Sequence, residues 1–259
     1  MWQQLQDTGG KNFMNKISNA FNNGKALIGF ITVGDPSLKT SEEVILKMVQ
    51  GGCDLIEVEI PFSDPVAEGA VIQSANVRAI NNGTTTDKVF ELVNNVSQQA
   101  DVPFVLMAYL NVLFKYGYDK FLEKAKQCGV SGVLVPDLPY EEKAELESVA
   151  EKYEITVLSF AAPATNKRIK NIAAAAKGFI SAMSTMGYRS KDRSVISSSS
   201  DIVECVKDVT NVPVVIAAGV ETPEDAKEYT AYADGVVINS AIIELIEKHG
   251  ENAPEAVYN

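Results

Sequence analysis

The 259-residue chain has one histidine, His249, and one tryptophan, Trp2. A serine–histidine–aspartate triad would have to use that one imidazole, close to the C-terminus. A metal site built from several histidines is excluded. Cysteine is scarce too. Cys53, Cys128 and Cys205 lie far apart with no Cys-x-x-Cys spacing, so neither a zinc site nor a disulfide framework is expected. Each reads as a small buried hydrophobe in a reducing cytoplasm. No apolar run approaches the roughly 18 residues of a membrane span. Positive charge is short: Lys+Arg is 23 against 34 Asp+Glu, a net charge of −11. A chain this acidic is poorly suited to nucleic-acid phosphates or to an anionic membrane surface.

What is present is an ordinary globular composition, 46% hydrophobic and 22% charged. Residues 1–13 have no apolar period and read as an N-terminal tail, which leaves 14–259 for the fold. Eight short apolar, β-branched runs recur: Ala26–Thr32, Leu55–Glu59, Phe104–Met107, Gly132–Val135, Thr156–Phe160, Phe179–Ala182, Val214–Ala217 and Gly235–Ile238. They are too apolar to be half-exposed, as expected of parallel strands covered by helices. Helical periodicity fills the gaps. Ser41–Gly51 opens on a Ser cap, Thr86–Gln99 carries Val89, Leu92, Val93 and Val96 on one face, and Tyr118–Cys128, Glu141–Tyr153 and Thr222–Tyr229 follow. Eight βα units in one domain predict a (β/α)8, or TIM, barrel. The alternative is an open doubly wound sheet, but Thr32-Val33-Gly34-Asp35-Pro36 after the first strand has no Gly-x-Gly-x-x-Gly.

Barrel chemistry lies at the C-terminal ends of the strands. In Asp54–Ile60 the residues alternate, so Glu57 and Glu59 share one face and Ile56, Val58 and Ile60 the other. With the apolar face on the helices, two carboxylates point into the barrel. Two like charges there raise at least one pKa, which suits acid–base work. The ordinary alternative is pairing with an interior Lys or Arg. The next loop, Pro61–Gly69, adds Asp64 and Glu68. The long stretch Ser184–Asp201 has no clear period and carries Gly187, Arg189, Lys191 and Arg193, which reads as a lid. The last two strands exit into Ala218-Gly219-Val220 and Asn239-Ser240-Ala241, each before a helix. Small residues at helix N-termini suit a phosphate.

The run IEVEIPFSDPVAEGAVIQ, residues 56–73, resembles the signature of the tryptophan synthase α subunit family. So do FITVGDP at 30–36, MAYLNVLFKYG around Asn111, and VLVPDLP at 133–139. The likeness runs in order from about Met14 to His249. It implies a (β/α)8 lyase of tryptophan biosynthesis that cleaves indole-3-glycerol phosphate to indole and glyceraldehyde 3-phosphate. No metal or organic cofactor is implied in this chain, since pyridoxal phosphate belongs to a β subunit that takes the indole in an α2β2-type complex. The resemblance makes Glu57 the proton-moving glutamate and Glu68 the anion at the indole nitrogen. It puts Phe30, Gly219, Asn239 and Ser240 at the substrate and its phosphate, Gly187 and Arg189 in the lid, and Asp64, Pro65 and Asn111 at the β-subunit interface.

Several positions depart from the family pattern. Glu68 stands for Asp, Glu59 for Gly, Ser181 for Tyr, and Asn239 for Gly. The lid Gly-Val-Thr-Gly reads Gly187-Tyr188-Arg189-Ser190, and a Gly-Phe-Gly turn reads Ala217-Ala218-Gly219. Two further readings therefore stay open. One is a catalytically weak paralogue that acts as a binding or regulatory partner. The other is a lyase or isomerase for another phosphorylated metabolite.

Overall fold

The computed structural model describes residues 16–183, 195–196 and 198–259. Its parallel strands are β1 (Ala26–Thr32), β2 (Leu55–Glu59), β3 (Phe104–Met107), β4 (Val130–Leu134), β5 in two pieces (Thr156–Val157 and Ser159–Ala161), β6 (Ile180–Ala182), β7 (Val214–Ile216) and β8 (Gly235–Ile238). Each pairs with its neighbour in sequence, and β8 pairs with β1, Gly235 opposite Ala26. The ring closes through β5, whose first piece pairs with β4 and second with β6. This is the (β/α)8 barrel expected from the alternation of apolar runs and helices.

The break in β5 was not expected, because Thr156–Phe160 reads as one run. At the break the Leu158 N–H reaches back to the Val133 carbonyl at 2.9 Å. Lys143 braces it. Its buried ammonium donates to the Val157 carbonyl at 2.8 Å and the Ser159 hydroxyl at 3.0 Å, and meets Glu147 at 3.0 Å. With three partners its donors are used.

The helices follow the periodicity, with shifted ends. The first long helix is Leu38–Gln50, and its cap is Ser37, which accepts the Thr40 N–H; Ser41 lies buried inside the first turn and accepts the Gly34 N–H instead. Thr85 caps Thr86–Ser97, where Val89, Leu92, Val93 and Val96 are buried as expected. Glu141–Tyr153 is a helix only over Lys143–Ala150, with a 3-10 turn at each end. Thr222 and Asp225 form a reciprocal capping box with Pro223 at the first helical position. The expected lid stretch is not loop throughout: Val195–Ile196 pairs antiparallel with Ala164–Thr165, and Ser199–Lys207 is a helix capped by Ser198.

The strand alternation gives the core an inner and an outer face. Inner positions such as Phe30, Val105, Val215 and Val237 fill the barrel, while Ile180, Ile216 and Val236 meet the outer helices. At the N-terminal end Ile17, fully buried, fills the place a side chain at Gly132 would need; a Cβ there would lie 2.9 Å from its Cδ1.

Candidate active site

The inner face of β2 carries two carboxyl groups. Glu57 is 2% exposed and Glu59 fully buried. The alternation turns both inward and sends Ile56 outward, to the side where Met48 and Cys53 also surround Gly29. In register, Glu57 lies between Phe30 of β1 and Val105 of β3, and Glu59 between Thr32 and Met107. Phe30, itself buried, is the apolar neighbour of the Glu57 carboxyl.

Among the described residues no Lys or Arg pairs with these acids. Burial pushes Glu57 up from 4.5 to about 8, and the charge of Glu68 adds to the rise. Burial and Glu68 raise Glu59 to about 8 as well, against the pull of hydrogen bonds from Thr32 and Asn76. Glu68 is half-buried, and burial raises it to about 7. The expected mutual repulsion of Glu57 and Glu59 is therefore not what shifts them. The like charge that acts on both is Glu68, delivered from the loop.

Three buried polar atoms have no hydrogen-bond partner among the described residues: one oxygen each of Glu57 and Glu59, and the Ser181 hydroxyl on β6. Buried polar groups are nearly always satisfied. All three belong to strand positions that face the inside of the barrel.

The loop that brings Glu68 is tied at several points. Its Phe62 N–H donates to Asn76 Oδ1 at 2.7 Å, and its Ala67 N–H donates to the Tyr109 hydroxyl at 3.0 Å. The Gln73 amide donates to the Glu68 carbonyl at 2.8 Å, and Phe62 stacks on Tyr109 with ring centroids 5.3 Å apart. Sequence reasoning missed Thr32, Asn76 and Tyr109. Asn76 had a signal: it is the polar member of the buried stripe Ile72, Ala75, Asn76 and Ala79 on the helix Ala70–Asn81. From the same helix Arg78 grips the buried Asp35 with two 2.8 Å bonds and reaches Glu247 on the helix Ser240–His249.

The two expected phosphate turns lie side by side. Gly219, after β7, has φ +77, a conformation that suits glycine. Asn239 ends β8. Its Nδ2 donates to the Ala217 carbonyl at 2.9 Å, and its Oδ1 accepts the Ser240 N–H at 2.7 Å. The carboxamide thus straps the two turns together and occupies one of the amides that open the helix Ser240–His249. Gly187 and Arg189 of the expected lid, with Lys191 and Arg193, lie outside the described residues. A cavity of about 860 Å³ opens at the opposite end, by the starts of β4 and β5. Its Lys126 and Lys177 are already paired with Glu154 and Glu151.

The sequence profile described as tryptophan synthase alpha chain matches residues 17–259. The chain belongs to that family. Tryptophan synthase alpha chain of Lacticaseibacillus casei is 41% identical over 244 residues, which cover 94% of this chain and 92% of that relative. The crystal structure of the tryptophan synthase alpha chain from Legionella pneumophila superposes with a TM-score of 0.84 at 30% identity, over 95% of this chain and 94% of the other. A chain of the tryptophan synthase complex from Pyrococcus furiosus gives 0.82 at 31% identity, over 91% of this chain and 96% of that one.

On this member of the tryptophan synthase alpha chain family, Asp64 and Asn111 present exposed side chains, whereas Pro65 is buried. Two apolar neighbours stand out that the sequence reading passed over. Val66 is 80% exposed, and Phe114, three residues after Asn111 on the helix Leu110–Tyr116, is 71% exposed. The spacing of Asn111 and Phe114 puts them on one helix face.

Proposed function

We propose that this chain cleaves indole-3-glycerol phosphate to indole and glyceraldehyde 3-phosphate, with Glu57 as acid and base and Glu68 as the anion at the ring nitrogen. The observation that carries the reading is the Glu57 carboxyl. It is buried, has no cation beside it and one oxygen unpartnered among the described residues, and burial raises its pKa to about 8. At neutral pH it holds its proton and can give it up to a bound substrate.

The steps follow from where charge develops. Glu57 gives its proton to indole C3. The ring nitrogen becomes cationic, and the Glu68 carboxylate stabilises that charge in a desolvated site. The Glu57 carboxylate then takes the proton of the glycerol hydroxyl adjacent to C3. The bond from C3 to that carbon breaks, its electron pair returns to the ring and neutralises the nitrogen, and the hydroxyl carbon becomes an aldehyde. Indole and glyceraldehyde 3-phosphate leave, and Glu57 has its proton back. Phe30 walls the ring. The Gly219 turn and the Ser240 hydroxyl receive the phosphate, helped by the partial positive charge of the helix start.

The chain works with side chains alone, and pyridoxal phosphate sits in the β subunit that docks on Asp64, Asn111, Val66 and Phe114. Residues 14–259 make one barrel domain. Three buried free cysteines and a role in amino-acid biosynthesis favour a cytoplasmic enzyme. No helix among the described residues is long and apolar enough to cross a membrane. One observation favours a weaker enzyme that serves mainly as a binding partner: Asn239 occupies an amide at the phosphate turn.

The test is release of indole and glyceraldehyde 3-phosphate from indole-3-glycerol phosphate, with and without a β subunit. The expected result is equimolar release of both, faster with the β subunit. No indole in either condition, from folded protein, overturns the lyase and leaves the binding partner.

A further inference from the structure

Glu59 is the buried acid that the reaction above leaves unused. Its Oε2 accepts the Thr32 hydroxyl at 2.5 Å and the Asn76 amide at 3.0 Å, while its Oε1 is buried without a partner. Asn76 has no spare capacity to turn. Its second N–H donates to the Ile72 carbonyl at 2.9 Å, and its oxygen accepts the Phe62 N–H at 2.7 Å. Were the amide flipped, an N–H would face the Phe62 N–H, and an oxygen would face Glu59. The acceptor on Glu59 therefore orients the amide that holds Phe62. Phe62 is the point where β2 gives way to the loop bearing Glu68.

We propose that Glu59 is a positioning residue for Glu68, acting as a neutral acid that sets the Asn76 amide and so anchors the loop at Phe62. Neutrality follows from its surroundings. Among the described residues the titratable groups that act on it are Glu68 from the loop and Tyr109 beyond β3, both acids, and Glu57 shares its face of the strand. Arg78, the cation on the helix of Asn76, is spent on Asp35 and Glu247. An ionised Glu59 would repel the residue it positions. A glycine here, as in the family pattern, has no side chain to make this tie.

The kinetic consequences rest on the role proposed for Glu68; the anchoring does not. Amide hydrogen exchange at Phe62, read without substrate, tests the anchor. In E59A, or in E59L where the volume must be kept for folding, Phe62 exchange is expected to quicken by about tenfold or more, and E59Q restores most of the protection. In turnover, E59A is expected to lower kcat about tenfold with KM nearly unchanged, because a misplaced Glu68 is felt in the transition state. E59Q recovers most of that loss. In an E68A background E59A adds no further loss, since it acts through Glu68. Unchanged Phe62 exchange in E59A and E59L overturns the proposal. So does E59Q failing as badly as E59A, or E59A costing its full tenfold on top of E68A. If the wild-type chain releases no indole, the lyase reading falls and the exchange result alone decides for or against Glu59.

Discussion

Asn239 accepts the backbone N–H of Ser240 at 2.7 Å while its own amide donates to Ala217 at 2.9 Å. The strap stabilises the paired turns, yet it consumes a donor that the helix start would otherwise offer to an anion. Asn239→Gly releases that N–H. A hydrogen bond to a charged group is worth about 1.5–3 kcal/mol, so KM for the substrate is expected to fall by about tenfold. Competition by inorganic phosphate should tighten in parallel. Calorimetric titration with phosphate checks this, and weaker binding in the variant would show that the strap shapes the site rather than obstructs it.

The buried acids make stability depend on pH in a defined direction. Glu57 and Glu59 titrate near 8 in the folded chain and Glu68 near 7, against the usual 4.5. Unfolding lets each ionise more readily. Their contribution is complete below pH 4.5 and is lost as pH rises through 7 and 8. Glu57→Gln, which cannot ionise, should therefore raise the melting temperature at pH 8.5 by at least about 2–4 °C, the shift that 1 kcal/mol gives in a chain of this size. At pH 4.5 the difference should vanish. Thermal melts across that range measure it, and a variant less stable than wild type at pH 8.5 would mean that Glu57 has a stabilising partner.

Much of this candidate site is legible in the sequence. Strict alternation over Asp54–Ile60 was enough to place Glu57 and Glu59 inside, since one face had to meet helices. The turns at Gly219 and Ser240 followed from strand order alone. What could not be read was set by contacts distant in sequence. The cap moved from Ser41 to Ser37 because Ser41 is drawn in to accept the Gly34 N–H. β5 breaks at Leu158 because neighbours on both sides must be satisfied at once, and Lys143 braces the gap from a helix. The tie from the Asn239 amide to the carbonyl of another strand's turn could not be read either. The coupling of Glu68 to both strand acids runs through a loop whose path depends on Asn76 and Tyr109.

Phe114 and Val66 stand beside Asp64 and Asn111 on the outer surface of the barrel's C-terminal end. Large exposed apolar side chains flanked by polar ones fit a protein interface, where a few anchors carry most of the affinity. Phe114→Asp is expected to weaken binding to a tryptophan synthase β subunit by about tenfold or more, as loss of more than 1.4 kcal/mol implies. The stimulation of turnover by the β subunit should shift to correspondingly higher concentration. Titration calorimetry or ultracentrifugation reads the affinity, and an unaltered complex would put the interface elsewhere.

The most direct test is the pH profile of kcat/KM for indole release, measured for wild type and Glu57→Gln. Glu57 must be protonated and Glu68 ionised, so activity should fall above about 8 and below about 7, leaving a narrow optimum between them. Glu57→Gln should lose about 10²–10⁴ of the rate, the usual contribution of a general acid–base group, while folding normally. A Glu57→Gln chain that turns over like wild type, or a wild-type rate that keeps rising well above pH 8, would contradict the account at its centre.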